Sequence, residues 1–292
     1  MADPRERPTG PTVSLTKAAE ELGVHYMTAY RYVRTGRLAA SKVGAEWRVP
    51  IEDLRSLAEH GVTEVGPGRR RASGPQSSGR LADRLVAGDE AGGWQIIETA
   101  LVGGSEPAEV LTELIGSAMR TIGDRWSAGE LSVADEHRAS VVCQRLIGRL
   151  GPRFARRGRK RGQIVVGSVV GDRHSIPPSI LADLLRGAGY EVCDLGADCP
   201  VESFIATAAS MTRLVAVCLS VSHVDALESA GSTTTRIRAS LGGDVVIVVG
   251  GGAVIDAHIA LRLGSDGYAA DALAAVELIE LLVASSRSTA PV

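Results

Sequence analysis

The sequence predicts a multidomain protein in which two mainly helical domains precede a doubly wound α/β domain. Its 292 residues are enough for two or three domains of about 100–200 residues. Residues 61–80 are rich in Gly, Pro, Ser and Arg without apolar periodicity, which is typical of a flexible linker, and a basic hinge follows at 151–162. Beyond it, β-branched runs alternate with helical segments, which predicts a parallel sheet covered on both faces. We therefore expect domains at 12–60, 81–157 and 162–287.

The charges nearly balance overall but are unevenly distributed. The chain has 32 Lys and Arg against 34 Asp and Glu, which excludes a uniformly basic protein of the histone or ribosomal kind. Residues 1–71 nevertheless carry 12 basic and 9 acidic side chains, whereas the remainder carries 20 and 25. A positive front on a negative body predicts a nucleic-acid partner at one end only.

The cysteines and apolar runs predict a cytoplasmic protein without a membrane partner. Cys143, Cys193, Cys199 and Cys218 form no CxxC pair and no zinc spacing, which favours reduced thiols. The first ten residues contain no apolar signal core. The longest apolar runs, such as Val245–Val249, fall far short of the ~20 residues that a membrane span requires.

The first block has the pattern of a winged helix-turn-helix. Leu15, Ala18, Ala19 and Leu22 recur at helical spacing before Gly23. A second helix, two short strands around a glycine turn and a third helix follow. The block resembles excisionase and MerR-type DNA-binding modules, and the resemblance is carried by Trp47, Arg48, Pro50, Asp53 and Leu54.

The second helix of this block would enter the major groove of duplex DNA. The candidates for base contacts are His25, Tyr26, Thr28, Tyr30 and Arg31. The candidates for phosphate contacts are Arg34, Arg37, Lys42 and Arg48. The alternative is that Tyr30 packs in the core and the arginines form an ordinary polar face. Core positions are expected for Tyr32, Val33 and Trp47.

The second block predicts a four-helix bundle. Four helical stretches are separated by breaks at Gly88, Gly103 and Gly129, which fit short connections between antiparallel neighbours. A bundle by itself says nothing about function.

The third block places polar and glycine residues after its strands, where doubly wound sheets bind ligands. The series Asp172-x-His174-x-x-Pro177 is followed after 42 residues by Ser220-x-Ser222 and after a further 27 residues by Gly250-Gly251. Order and spacing resemble the cobalamin-binding signature D-x-H-x-x-G, S-x-L, G-G.

The bundle block carries a further motif of the same kind. Trp126 is followed after nine residues by Glu136 and His137. This reproduces the helical-cap motif of CarH/LitR-type transcriptional regulators, which the chain resembles from the helix-turn-helix to near its C-terminus. The resemblance implies a homo-oligomer, a dimer or tetramer, that binds adenosylcobalamin and double-stranded DNA.

The resemblance also implies a role for each motif residue. His174 would ligate cobalt from below, and Asp172 would accept the other ring proton and fix the tautomer. The nucleotide tail of the cofactor would lie along Ser220, Ser222, Gly250, Gly251 and Gly252. Trp126 would cover the upper face of the corrin, where Glu136 and His137 would bond an upper ligand.

Two positions depart from the family pattern. Pro177 occupies the place of the motif glycine, with Pro178 next. Ser127 follows the cap Trp, where photoreceptor members carry a second His that captures cobalt after light has cleaved the upper bond.

The leading expectation is a non-enzymatic, cobalamin-dependent and light-responsive regulator, acting as a repressor, whose cofactor state controls oligomerisation and DNA binding. One alternative is a corrinoid carrier of a methyltransferase system. Another is a regulator whose sensor domain has lost cobalamin and binds haem, another ligand or a protein partner.

Overall fold

The computed structural model describes residues 11–22, 29, 33, 38–43, 46–60 and 74–288. The chain divides into two units, Met1–Arg70 and Arg71–Val292. Each unit has hydrophobic clusters of its own, and the two are described separately. Within the described ranges, no helix is long and apolar enough to cross a bilayer.

The N-terminal unit combines helices with a three-stranded antiparallel sheet. Its described elements are β1 (Thr12–Ser14), α1 (Leu15–Glu21), β2 (Ser41–Val43), β3 (Glu46–Pro50) and α2 (Ile51–His60). The strand order is β1-β3-β2. Helix α1 begins after Ser14, whose side chain accepts a hydrogen bond from the backbone N–H of Lys17 at 3.2 Å. Leu15, Val49 and Leu54 are buried in the small core. Strand β1 was not predicted.

The second unit begins with a layer of helices. These are α3 (Pro75–Val86), α4 (Glu90–Val102), α5 (Pro107–Glu109), a π-helical segment (Val110–Ile115), α6 (Gly116–Ser127) and α7 (Val133–Leu150), followed by a 3-10 turn (Gly151–Phe154). Helix α3 starts inside the predicted linker 61–80, so residues 75–80 belong to the helical layer instead. Pro75 suits this start because the first helical N–H has no partner within the helix.

A parallel four-stranded sheet forms the rest of the second unit. Its elements are β4 (Gln163–Ser168), α8 (Ile176–Gly187), β5 (Glu191–Asp194), α9 (Val201–Ala209), β6 (Leu214–Ser220), α10 (Leu227–Leu241), β7 (Val246–Gly250), α11 (Ala257–Arg262) and α12 (Ala272–Ser288). The strand order is β5-β4-β6-β7, and all pairs are parallel. The predicted doubly wound parallel sheet is therefore confirmed.

Alternation along the strands assigns residues to the two faces of the sheet. Val165 packs in one hydrophobic cluster with α9, α10 and α11. Ile164 and Val166, which point to the other face, pack with α8 and α12. The strand order reverses direction between β4 and β6, because the chain goes from β4 outward to β5 and then returns to β6. Such a switch point opens a crevice at the carboxyl ends of the strands.

Helix α8 belongs to two cores at once. Its Leu185 faces the sheet. Its Ile176, Ile180 and Leu184 lie in the hydrophobic cluster of the helical layer, together with Leu150 of α7. The helical layer is therefore packed directly on the α/β part of this unit.

Candidate functional site

The loop that follows β4 is organised around one buried carboxylate. Asp172 is fully buried, and its Oδ1 accepts hydrogen bonds from the backbone N–H of His174 at 3.0 Å and from the His174 ring Nδ1 at 2.7 Å. Its Oδ2 accepts a bond from the backbone N–H of Ser222. A carboxylate only accepts, so Nδ1 carries the proton and Nε2 of a neutral imidazole is left with a free lone pair.

The electrostatics of this pair favour its charged form. Burial raises the pKa of Asp172, but the hydrogen bonds from the His174 ring, the Ser222 N–H and the His174 N–H together hold that pKa below its ordinary value. The bond to Asp172 raises the pKa of His174 against the opposing effect of burial, and the charges of Asp172 and Glu136 add to the rise. A metal bound at Nε2 would therefore compete with a proton.

Two further residues hold the same loop, and neither was predicted. The buried Ser168 Oγ donates to the carbonyl of His174 at 2.7 Å. Asp198, in the loop after β5, donates its N–H to the carbonyl of Asp172 at 2.8 Å and accepts from the N–H of Gly171 at 2.7 Å. Asp198 has a φ of 52°, which is uncommon for a residue other than glycine. Its position after a strand of the switch-point sheet is the one sequence signal that pointed to it.

The predicted serines and glycines lie at or just after the carboxyl ends of β6 and β7, beside this loop, and we call this edge the groove. Ser220 at the end of β6 is paired with Gly250 at the end of β7. The Oγ atoms of Ser220 and Ser222 are buried and have no hydrogen-bond partner among the described residues. Buried hydroxyls without partners are costly, so they point to a polar ligand beside them.

The three glycines of this edge differ in what an added side chain would meet. A Cβ added at Gly251 would overlap the backbone carbonyl of Val221, and its φ of 115° is one that other residues rarely adopt. A Cβ at Gly250 would meet nothing within 4 Å and would project into open space. At Gly252 a Cβ would lie 3.5 Å from the carbonyl of Ser222, an ordinary contact.

The predicted cap residues occupy the ends of two adjoining helices. Trp126 lies in the last turn of α6 and is 49% exposed. Glu136 and His137 lie near the start of α7; Glu136 accepts from Ser140 Oγ at 2.6 Å, and the side chain of His137 is largely exposed. Gln144 of α7 donates to Ser175 Oγ at 2.5 Å, which ties α7 to the end of the His174 loop.

The departures from the family pattern have local explanations. Pro177 and Pro178 lie in the first turn of α8, beyond the loop that carries His174, where their missing N–H groups have no helical partner to lose. Ser127 is the last residue of α6, and its Oγ donates to the carbonyl of Asp124 at 2.8 Å.

The donor set suits a metal that arrives with its own ligands. Among the described residues, no group of three or more His, Cys, Asp or Glu could hold a bare ion. A single imidazole with a carboxylate behind it is a sufficient protein contribution when a macrocycle supplies the other in-plane ligands. The unpartnered hydroxyls and the open space at Gly250 fit the polar tail of such a cofactor.

Most of the predicted DNA-contacting residues lie outside the described part of the chain. These are His25, Tyr26, Thr28, Tyr30, Arg31, Arg34 and Arg37. The backbone of Lys42 is in β2, and Arg48 is in β3 with a partly exposed side chain. Of the expected core residues, Val33 and Trp47 pack, partly buried, on the core, whereas Tyr32 is not described.

The fold and the site together define a class of proteins with a cofactor at the carboxyl edge of a parallel sheet. Comparison with known proteins identifies the family. Two models described as B12 binding domains match residues 78–150 and 162–277, and a helix-turn-helix domain model matches residues 12–61. The chain is 30% identical to the dimethylamine corrinoid protein of Methanosarcina barkeri over 210 residues, which cover 70% of this chain and 96% of the relative. The chain therefore belongs to the B12-binding corrinoid protein family.

Two further proteins are similar over the same share of the chain. Trimethylamine corrinoid protein 2 of Methanosarcina acetivorans is 27% identical over 209 residues, which cover 70% of this chain and 96% of the relative. The solved structure of the monomethylamine corrinoid protein of Methanosarcina barkeri has a TM-score of 0.61 at 22% identity, covering 70% of this chain and 98% of that one. This structural likeness concerns the fold.

Proposed function

We propose that the second unit binds a cobalamin in which His174 replaces the cofactor's own base as the lower cobalt ligand. The observation that carries this proposal is the buried Asp172 carboxylate, which holds the proton on Nδ1 of His174 and leaves Nε2 available. When bound, the corrinoid would supply a reactive cobalt–carbon bond. The protein would position that bond and exclude water from it.

The remaining site residues would hold the two ends of the cofactor. The hydroxyls of Ser220 and Ser222 would bond the polar groups of the nucleotide tail, and Gly250, Gly251 and Gly252 would let it approach the strand ends. On the upper side, the half-exposed Trp126 would shield the corrin. Glu136 and His137 would bond an upper ligand, for which adenosyl is our proposal.

A spectroscopic titration tests this assignment. The full chain is mixed with adenosylcobalamin in the dark, desalted, and its visible spectrum recorded. We expect retained colour with the spectrum of a cofactor whose own base is displaced, and loss of that spectrum in His174→Ala. His258→Ala, which removes an exposed imidazole in α11, is the matched control and is expected to behave as wild type. Absence of retained cofactor would favour a sensor for haem, another ligand or a protein partner.

Two uses of the bound cofactor are proposed, and different observations support them. The first is a corrinoid carrier in a methyltransferase system. The named relatives are corrinoid proteins associated with methylamines, and they match 70% of this chain over nearly their full length. The relatives support this use more directly than they support regulation. In this use the partner would be a methyltransferase protein, and the chain would carry a methyl group without catalysing the transfer alone.

The second use is a cobalamin-dependent transcriptional regulator. It is supported by the helix-turn-helix match over residues 12–61 and by the excess of basic residues in the first 71. In this use the first unit would form a winged helix-turn-helix, the helical layer would act as a four-helix cap, and oligomer formation would bring several DNA-binding modules together. Repression and a response to light are finer parts of the same proposal.

One pair of assays separates the two uses. Duplex DNA fragments from around the coding gene are tested for binding by the corrinoid-loaded chain, in the dark and after green light. In parallel, the methylated corrinoid form is tested for methyl transfer to a thiol or folate acceptor in the presence of a methyltransferase. Sequence-dependent DNA binding that changes with cofactor state favours the regulator; methyl transfer without DNA binding favours the carrier.

A further inference from the structure

A dense group of cations lies in the segment that connects α7 of the helical layer to β4 of the sheet. Residues 151–162 contain no Asp or Glu, and we call their six cations, Arg153, Arg156, Arg157, Arg159, Lys160 and Arg161, the basic strip. From its composition the segment was expected to be a solvated hinge. In the structure the segment is instead held by contacts with α8, with the residues before β5 and with Arg213.

The backbone of the basic strip is anchored at both ends. Phe154 is buried, and a Cβ at Gly187 of α8 would lie 3.0 Å from its ring. At the other end, the backbone N–H of Arg161 donates to the carbonyl of Gly189 at 3.0 Å, and its guanidinium lies 5.1 Å from the centre of the Tyr190 ring. Arg213 also donates to the carbonyl of Lys160 at 2.7 Å.

Four of the six cations of the strip are available to a partner. Arg153, Arg156, Arg157 and Arg159 are exposed and have no ion pair with any described residue. Many arginines elsewhere in the second unit do have such partners, among them Arg84, Arg125, Arg138, Arg145, Arg186, Arg236 and Arg238. These four guanidinium groups therefore carry charge that is not neutralised within the described structure, whereas Arg161 of the same strip is paired with Glu280.

The chemistry of the strip selects a phosphate-rich partner. Guanidinium groups match phosphate oxygens with two parallel hydrogen bonds. Among the described residues, no large exposed hydrophobic side chain lies between residues 151 and 162. A protein interface would normally have an aromatic or aliphatic anchor there, and a membrane surface would favour one as well. A sugar-phosphate backbone needs none.

We propose that the basic strip binds the phosphate backbone of double-stranded DNA without reading its sequence. The strip precedes β4, at the amino ends of the parallel strands, whereas His174 follows the carboxyl end of β4. A duplex on the strip would therefore leave the cofactor site free. The strip adds a DNA contact in the second unit that the helix-turn-helix match, confined to residues 12–61, does not include.

A charge-neutralising variant of the full chain tests this proposal. In the strip variant, Arg156, Arg157 and Arg159 are each changed to Gln. In the control variant, the exposed Arg120, Arg236 and Arg262 are changed to Gln, which removes the same charge elsewhere. Binding to a labelled duplex of arbitrary sequence is measured by fluorescence anisotropy at several salt concentrations. Each phosphate contact contributes about 0.9 to the slope of log affinity against log salt.

The strip variant is expected to lose about 2.7 from that slope, the value for three phosphate contacts. Its affinity at low salt is expected to fall at least about tenfold, while the control variant stays near wild type. Corrinoid uptake is expected to be equal in all three proteins, because the strip lies away from the groove.

Several results would overturn the proposal. These are no binding of the wild-type chain to DNA at low salt, an equal loss in the strip and control variants, or an unchanged salt slope in the strip variant. Binding that is restricted to anionic lipid vesicles or to an acidic polypeptide would assign the strip to another partner and also reject it. A chain that fails to take up a corrinoid but shows the predicted slope change would reject the proposed cofactor site alone.

Discussion

At the scale of single residues, the Asp172 carboxylate joins two loops of the sheet edge. It bonds His174 in its own loop and the backbone of Ser222 in the loop after β6. The two loops bring together the proposed lower ligand and the proposed tail groove. One buried group thus fixes both the orientation of the imidazole and the distance between the loops.

The Asp172–His174 pair predicts a pH window for stability. The lowered pKa of Asp172 gives a contribution that is present above about pH 4 and is lost as the pH falls through that lowered value. The raised pKa of His174 gives a contribution that is present below about pH 6.5 and is lost as the pH rises through the raised value. We expect Asp172→Asn to reduce the free energy of unfolding most between these limits. Urea unfolding of the corrinoid-free protein across pH checks this, and a pH-independent loss would contradict it.

Substitution by Ala is expected to affect stability at Gly251 and cobalamin uptake at the adjacent Gly250. Gly251→Ala is expected to lower the free energy of unfolding by about 1–3 kcal/mol, because its backbone conformation and its contact with Val221 both exclude a side chain. Gly250→Ala is expected to leave stability nearly unchanged but to reduce cobalamin uptake, because its methyl group would occupy the groove. Thermal denaturation and dark titration measure the two effects. Normal uptake by Gly250→Ala would remove the nucleotide tail from this position.

Asp198 predicts a graded series of variants. Asp198→Ala loses the acceptor for the Gly171 N–H and puts alanine, which adopts a positive φ less readily than Asp or Asn, at a φ of 52°, so we expect a loss of roughly 1 kcal/mol in stability and weaker ligation by His174. Asp198→Asn keeps an acceptor oxygen and tolerates this conformation, so it is expected to restore most of both properties. Unfolding curves and the cobalamin spectrum report the result. Equal defects in the two variants would show that the charge of Asp198 matters rather than its hydrogen bond.

The sequence predicted the residues of this site unevenly. The expectation that Asp172 bonds the His174 ring came from the resemblance to the cobalamin-binding signature, and the structure has that bond at 2.7 Å. Asp198 reaches the same loop across 26 residues, and its role depends on the β4–β5 pairing. The hydrogen bond from the backbone N–H of Ser222 to Asp172 could not be predicted either, because a backbone donor does not depend on residue type.

At the scale of elements, α7 begins with a capping box, and Glu136 and His137, which we propose to lie above the corrin, follow it directly. Ser132 accepts from the N–H of Asp135 at 3.2 Å, and Asp135 accepts in return from the N–H of Ser132 at 3.0 Å. This capping box fixes the first turn, directly before Glu136 and His137. The pKa of Asp135 is held below its ordinary value first by its side-chain bond to Ser132.

Removal of this capping box is expected to lower the stability of the protein and to loosen the first turn of α7. Ser132→Ala is expected to lower the free energy of unfolding by about 1 kcal/mol, because the N–H of Asp135 loses its side-chain acceptor. We also expect faster amide exchange at Glu136 and His137, measured by hydrogen exchange. Ser127→Ala is a suitable comparison, because that hydroxyl bonds the carbonyl of Asp124 within the last turn of α6 and caps no helix N–H. Unchanged exchange in Ser132→Ala would show that tertiary packing alone holds the turn.

The prediction of elements depended on how much pattern each contains. Strands β4, β6 and β7 are continuous, largely buried runs and were predicted correctly. Strand β1 has three residues, too few for an alternating pattern, and exists through its pairing of Val13 with Val49. The start of α3 was missed because its Gly- and Ser-rich first turn has the composition of a linker, and the burial of Ser78 that fixes it is tertiary.

At the scale of the whole molecule, the two units have separate cores. Leu15 and Leu54 pack within the first unit, and the clusters around Ile97, Val165 and Ile164 all belong to the second. We expect a fragment of residues 71–292 to fold alone and to bind cobalamin as tightly as the full chain. Circular dichroism and a cofactor titration check this expectation. Loss of the fold in the fragment would show that the first unit contributes to the stability of the second.

The boundary between the two units falls inside the Gly-, Pro- and Ser-rich segment 61–80, whose low apolar content is visible in the sequence. How the blocks of the second unit combine was not visible. The helical layer and the sheet share α8, and this follows from the side chains on two faces of one helix. Apolar residues on both faces predict a buried helix but not the identity of its neighbours.

Helix α8 leaves no hinge between His174 and the helices above it. It begins at Ile176, and the first residues of α8 enter the core that contains Leu146 and Leu150. A displacement of the His174 side chain is therefore expected to shift the start of α8, because only Ser175 separates the two, and so to affect the packing of α8 in the helical layer. Breaking or making one bond at His174 should register as a change in the melting of the entire helical layer, far from the atom where it began.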